Sequence, residues 1–136
     1  MEKLEHIGIA VKDLEKSNAL FAHLLGQQPY KIEEVASEGV RTSFFNVGGV
    51  KIELLEATAV DSPIAKFIEK KGEGIHHLAF AVNDIEESII EYSQKGFSPL
   101  STEPKTGADN KLICFLHPKT TNGVLIELCQ EKSKLA

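Results

Sequence analysis

The sequence predicts an α+β fold: two tandem βαβββ units forming one cupped mixed β-sheet with helices on the outside. Three observations predict it. The run H-I-G-I-A-V at residues 6–11 returns as H-L-A-F-A-V at 77–82, and G-V-K-I-E-L at 49–54 returns as G-V-L-I-E-L at 123–128. Each copy carries the same order of elements: an apolar β-prone run, a helical stretch and three more strand-like runs. In both copies a single histidine opens the first run and a single glutamate interrupts the last, at matching positions.

The repeat points to a duplicated unit. The histidine runs are offset by 71 residues, and at that offset Asp13, Glu15 and Ser17 meet Asp84, Glu86 and Ser88. The glutamate runs are offset by 74, so the second copy carries about three extra residues between its motifs. The first repeat covers about residues 4–57, a linker helix about 58–74 and the second repeat about 75–131, all in a single domain.

The elements follow in order. The apolar runs Ile7–Val11 and Leu78–Val82 are strands that end at Asp13 and Asp84, residues of the N-cap type. A first helix follows, with Leu14, Ala19, Leu20 and Leu24 near helical spacing, and Gly26 closes it. The second helix shows Ile85, Ile89 and Tyr92 as its stripe and closes at Gly96. Strands are predicted near 28–36, 40–47 and 50–56, and again near 98–104, 111–117 and 123–130, separated by turn residues such as Gly39 and Gly48-Gly49. In the linker, Ser62 as N-cap and Pro63 at the first helical position start a helix through Ile64, Phe67 and Ile68.

Composition narrows the function. The net charge is −5 from 15 basic and 20 acidic residues, with no basic stripe, which excludes a general nucleic-acid binder. No apolar run approaches the roughly 20 residues needed to span a bilayer, so no membrane partner is expected. The start, Met1-Glu2-Lys3-Leu4-Glu5, lacks the apolar h-region of a signal peptide. Cys114 and Cys129 lie in apolar strand-like runs and are too few for a disulfide framework, which fits reduced core thiols in a cytoplasmic protein.

Alternation along the strands locates the chemistry. With Ile7, Ile9 and Val11 under the helix, His6 faces the open side, and with Leu78, Phe80 and Val82 packed, so does His77. Val50, Ile52 and Leu54 pack inward and leave Glu53 on the cupped face; Val124, Ile126 and Leu128 leave Glu127. A carboxylate inside an apolar strand is costly to bury alone. Two imidazoles and two carboxylates at repeat-related positions form an oxygen and nitrogen donor set for one divalent cation: His6, Glu53, His77 and Glu127. With no thiolate in the set, a site with open positions is expected rather than a closed structural zinc. His76 points to the opposite face and is structural or a support to the ligands. His23 belongs to the first helix, and His117 reads as structural.

On the motifs H-I-G-I-A-V, K-I-E-L-L-E at 51–56, D-S-P-I-A-K-F at 61–67, G-E-G-I-H-H-L-A-F at 72–80 and F-L-H-P-K at 115–119, nearly the whole chain resembles the methylmalonyl-CoA epimerase family. The His and Glu pattern alone is shared by the wider vicinal oxygen chelate superfamily, which includes glyoxalase I and extradiol dioxygenases. The resemblance implies an isomerase that interconverts the 2R and 2S epimers of methylmalonyl-CoA, an acyl-CoA substrate, a homodimer, and one divalent metal ion, Co2+ first among Zn2+, Ni2+, Mn2+ and Mg2+. The proton next to the thioester is removed on one face and returned on the other, which needs two bases. Glu127 is expected to be one. The family carries an acid shortly before a Gly-Val pair; here Ala36 and Ser37 occupy the ungapped positions, and Glu38 and Glu34 are the nearby acids, Glu38 being the expected second base. The family's G-A-H-G is Gly107-Ala108-Asp109-Asn110 here, at the expected substrate mouth. Lys111 and Lys119 are read as solvated, with phosphate or carboxylate contact as the alternative. Two other functions compete: a glyoxalase I-like lactoylglutathione lyase on the same scaffold, and a metal-free binding protein of the same fold.

Overall fold

Capping residues set where the helices begin. The computed structural model describes residues 1–132. In helix α1 (Leu14–Leu25) the Asp13 carboxylate accepts a hydrogen bond from the Lys16 N–H at 3.0 Å, and left-handed Gly26 closes the helix, its N–H donating to the Ala22 carbonyl. In α2 (Pro63–Lys71) the Ser62 hydroxyl accepts from the Ala65 N–H at 3.1 Å, with Pro63 in the first turn as predicted. Helix α3 (Ile85–Gln94) begins at Asp84, whose carboxylate accepts from the Glu87 N–H at 3.1 Å. It stops two residues before the predicted Gly96, capped by Lys95.

The strands are β1 (Lys3–Ala10), β2 (Lys31–Val35), β3 (Val40–Val47), β4 (Val50–Ala57), β5 (Gly74–Ala81), β6 (Lys105–Thr106), β7 (Lys111–Leu116) and β8 (Ile126–Glu131). Contacts divide the chain into two compact units. One is His6–His76; the other joins Met1–Glu5 to the chain from His77 onward. In the first, β1 pairs in parallel with β4, and β4, β3 and β2 pair antiparallel, in the order β2-β3-β4-β1. In the second, β5 pairs in parallel with β8, and β8, β7 and β6 pair antiparallel, in the order β5-β8-β7-β6. Each unit is thus a mixed sheet of the predicted βαβββ type.

One sheet face in each unit is covered by a helix. In the first unit Val11, Leu14, Ala22, Phe45 and Leu54 form the core, with Ile9, Phe21, Leu25 and Ile52 against it. In the second, Val82, Ile85, Ile89, Cys114, Leu116 and Leu128 pack with Tyr92 and Phe97. The α3 stripe is the predicted one. The α1 stripe is not: Leu20 and Leu24 are exposed, and the buried face runs through Leu14, Phe21, Ala22 and Leu25. Both stripes obey helical spacing, and the larger Phe21 is the residue that reaches Phe45, with ring centroids 6.4 Å apart. Both cysteines are buried and form no disulfide, and the Cys129 thiol donates to the Phe80 carbonyl at 3.6 Å.

Three strand predictions are corrected. The strand expected at 98–104 is absent; β6 is two residues long, preceded only by an isolated bridge between Pro99 and Leu116. Pro99 and Pro104 lack the N–H that a ladder needs. Strand β2 ends at Val35, and Ala36–Glu38 form a 3-10 turn. Val124 lies before β8 and is exposed, not packed.

The turn between β2 and β3 is the tightest backbone approach. Gly39 has φ of +63°, and a Cβ there would stand 2.7 Å from Ser62 Cβ, at the start of α2. At Gly26, φ is +69° but nothing lies within 4 Å. Gly39→Ala is therefore expected to lower unfolding stability by about 1–3 kcal/mol. Gly26→Ala should cost only the left-handed penalty of roughly 1 kcal/mol. Urea denaturation of the two variants checks the difference.

Candidate metal centre

The predicted histidines and glutamates form a buried pair in each unit. In the first, parallel register sets Gly8 beside Glu53, so Glu53 stands on the face of His6 and Gly8, away from Ile9 and the core. His6 Nδ1 lies 3.1 Å from Glu53 Oε2. In the second unit Ala79 is beside Glu127, and His77 Nε2 lies 3.3 Å from Glu127 Oε1. All four residues are buried, at 4–5 % exposure.

Small neighbours make this possible. Gly8 and Ala79 occupy the positions next to the carboxylates, which leaves room for an imidazole two residues earlier on the same face. Across the other ladder stand Phe44, opposite Glu53, and Phe115, opposite Glu127. These phenylalanines obey the same 71-residue offset as His6 and His77, although neither stood out in the sequence. Phe115 holds the His77 ring edge-on, with centroids 5.7 Å apart at 88°. The aromatic walls and the helix-packed sheets limit water around each pair.

The donor chemistry fits a divalent cation. Each pair offers one carboxylate and one imidazole, and burying a carboxylate without countercharge is unfavourable. The two pairs supply oxygen and nitrogen donors and no thiolate.

Other predicted residues fall as follows. His76 packs edge-on against Phe67, centroids 5.0 Å apart, a structural role as expected. His23 is exposed on α1. His117 Nδ1 accepts the Lys119 N–H at 3.1 Å and caps a 3-10 turn at Pro118–Thr120. Lys119 is exposed, as predicted. Lys111 is not solvated: it is buried, with its ammonium 3.6 Å from Asp109 Oδ2 and 4.0 Å from Glu131 Oε1. The carboxylates on both sides explain its burial. Asp109 and Asn110 both adopt φ of 56°, the left-handed pair that turns the chain into β7. Glu38 lies in the 3-10 turn, half-buried and outside the strand ladders.

Sequence reasoning missed two buried polar residues, Glu5 and Thr42. Glu5 is buried at 3 %, one residue before His6. Thr42 is fully buried on the face that carries Glu53, and its hydroxyl has no hydrogen-bond partner among the described residues. Their only signal was strand parity, which needs the register to become informative.

The family model of the Glyoxalase/Bleomycin resistance protein/Dioxygenase superfamily matches residues 5–115. The human mitochondrial methylmalonyl-CoA epimerase is 42% identical over 129 residues, 94% of this chain and 73% of that protein. The chain belongs to the methylmalonyl-CoA epimerase family. The ethylmalonyl-CoA/methylmalonyl-CoA epimerase of Cereibacter sphaeroides is 41% identical over 94% of this chain and 97% of its own. A Streptomyces coelicolor methylmalonyl-CoA epimerase, solved in complex with 2-nitronate-propionyl-CoA, superposes with a TM-score of 0.92 at 34% identity. It covers 98% of this chain and 96% of its own. The epimerase fold therefore extends over the chain predicted to carry it.

Removing one partner of a buried pair leaves the other without its hydrogen bond. In chelator-treated protein, His77→Ala is expected to lower stability by about 1–3 kcal/mol. The exposed His23→Ala should stay within about 0.5 kcal/mol. Chemical denaturation compares them.

Proposed function

We infer that this chain is an enzyme that interconverts (2R)- and (2S)-methylmalonyl-CoA. The observation that carries this is identity above 40% to named epimerases over 94% of the chain. The buried His–Glu pair of each repeat gives that identity a chemical basis. The relatives speak for an epimerase over a lactoylglutathione lyase, and the full donor set speaks against a metal-free binding protein.

We place His6, Glu53, His77 and Glu127 as the residues that hold one divalent cation. When bound, such an ion supplies Lewis-acid stabilisation of the negative charge that develops on the thioester. Glu127 doubles as a proton-transferring carboxylate, taking the hydrogen from C2 of one epimer and returning it to the other. The buried surroundings exclude water that would compete for this proton. Inversion also requires a second carboxylate on the other side of the carbon. Glu38 is the residue the family resemblance puts forward, and the β2–β3 hairpin that contains it is where we place that role.

Cobalt as the ion and a homodimer follow from the family resemblance. A cytoplasmic setting is supported by two buried cysteines that form no disulfide. Among the described residues no helix is long and apolar enough to cross a membrane.

The deciding experiment incubates metal-loaded protein with methylmalonyl-CoA in deuterated water. Deuterium entry at C2 with epimerisation is expected, and its absence sinks the assignment. Glu127→Gln should lower epimerisation by about 100-fold or more. Metal binding is read separately. Cobalt at about 100 times its dissociation constant should stabilise chelator-treated wild type by roughly 2.7 kcal/mol, and Glu53→Gln should lose most of that gain.

A further inference from the structure

A lysine stands over the aromatic wall of the second unit's His–Glu pair. Strand β6 is short, but its pairing is fixed. Lys105 is opposite Ile113 on β7, and just beyond the strand the Gly107 N–H donates to the Lys111 carbonyl at 3.0 Å. Directly opposed residues in antiparallel strands share a face. Leu112, Cys114 and Leu116 pack with α3, so Ile113 and Phe115 lie on the other face, and Lys105 with them. That face carries Glu127, because Phe115 is opposite Glu127 on β8.

Distances tie the lysine to the pair. Lys105 Nζ lies 5.9 Å from the Phe115 ring centroid, so the side chain leans from the row of Ile113 into the row of Phe115 and Glu127. The Phe115 centroid lies in turn 5.7 Å from that of His77. One phenyl ring therefore separates the ammonium from the imidazole–carboxylate pair. The ring attracts the cation through its quadrupole, and the lysine stem can lie along apolar surface. The first unit has the same arrangement. Lys31 Nζ lies 5.7 Å from the centroid of Phe44, which is opposite Glu53.

Charge indicates what Lys105 can do. The chain carries a net charge of −5, whereas an acyl-CoA is a polyanion with phosphates and, in a malonyl thioester, a carboxylate. An acidic protein that takes such a ligand needs cations placed locally. Among the described residues of β6 and β7, two lysines lie on this face, Lys105 and Lys111. Lys111 is buried between Asp109 and Glu131, so its charge is answered inside the protein. Lys105 is exposed and can meet a ligand from solvent.

Resting on the epimerase reading, we propose that Lys105 is a substrate-binding residue. It holds an anionic oxygen of the acyl-CoA, from the carboxylate or from the phosphates, over Phe115 and beside the His77–Glu127 pair. The contact is made in the bound substrate and persists through proton transfer, so it acts on affinity more than on turnover.

The test uses three metal-loaded variants beside wild type. Lys105→Met keeps an apolar stem over Phe115 and removes the charge, Lys105→Arg restores the charge, and Lys95→Met removes a cation at the end of α3. KM and kcat are measured with methylmalonyl-CoA. Dissociation constants are measured for methylmalonyl-CoA, propionyl-CoA (which lacks the carboxylate) and methylmalonyl-pantetheine (which lacks the phosphates). Lys105→Met is expected to raise KM and Kd for methylmalonyl-CoA about tenfold or more, with kcat within about threefold of wild type. Added salt should weaken binding to wild type more than binding to Lys105→Met. Lys105→Arg should recover most of the affinity, and Lys95→Met should stay within about twofold of wild type. An effect that vanishes with propionyl-CoA assigns the contact to the carboxylate, and one that vanishes with methylmalonyl-pantetheine assigns it to the phosphates. Retained cobalt-induced stabilisation shows that Lys105→Met is folded with its ligands in place. The proposal is overturned if Lys105→Met binds methylmalonyl-CoA within about twofold of wild type, if it weakens all three ligands equally, or if Lys95→Met has the same effect. Wild type that neither binds methylmalonyl-CoA nor epimerises it overturns the functional assignment, and this one with it. Wild type that epimerises beside an unaffected Lys105→Met overturns this one alone.

Discussion

A carboxylate inside an apolar strand has to meet a polar partner, and the rest of this molecule is arranged around that requirement. Glu53 and Glu127 are each nearly excluded from solvent and each touch one imidazole. The parallel pairing of β1 with β4 and of β5 with β8 brings this about, because it sets a small residue beside each glutamate. A slip of one residue would turn both carboxylates toward the helix-packed core. The apolar flanks Ile52, Leu54, Ile126 and Leu128 hold the register by occupying that core. The same residues that stabilise the sheet thus aim the donors.

Duplication supplies two such pairs, and divergence makes the halves unequal. The histidines, the glutamates and the phenylalanines that wall them recur on the repeat. The edges have drifted. Strand β2 has five residues and β6 has two, because prolines replace ladder donors before β6. The turn into β3 is a 3-10 segment closed by Gly39, whereas the turn into β7 uses two left-handed residues, Asp109 and Asn110. Glu33 faces Thr42 in one half, and Lys105 faces Ile113 in the other.

Much of this was legible beforehand. The repeat announced two βαβββ units, Asp13, Ser62 and Asp84 marked the helix starts, and alternation around Ile52 and Ile126 separated the glutamates from the core. The failures have common physical causes. Leu20 and Leu24 satisfy helical spacing as well as Phe21 and Leu25 do, and only contact with Phe45 decides between them. Val124 continues an apolar run, but pairing with β7 starts at Ile126. Lys111 looks like a surface lysine until Asp109 and Glu131 are seen beside its ammonium.

The sequence by itself determined the architecture of each unit, the metal-ligand candidates and the family, because all of these are written in local periodicity and in a repeat that can be counted. Tertiary structure alone decided which helix face is buried, where the edge strands end, and which further polar groups share a face with the histidine–glutamate pairs. Those outcomes depend on which residue stands across a ladder, and cross-strand register is a relation between distant segments that no single stretch of sequence contains.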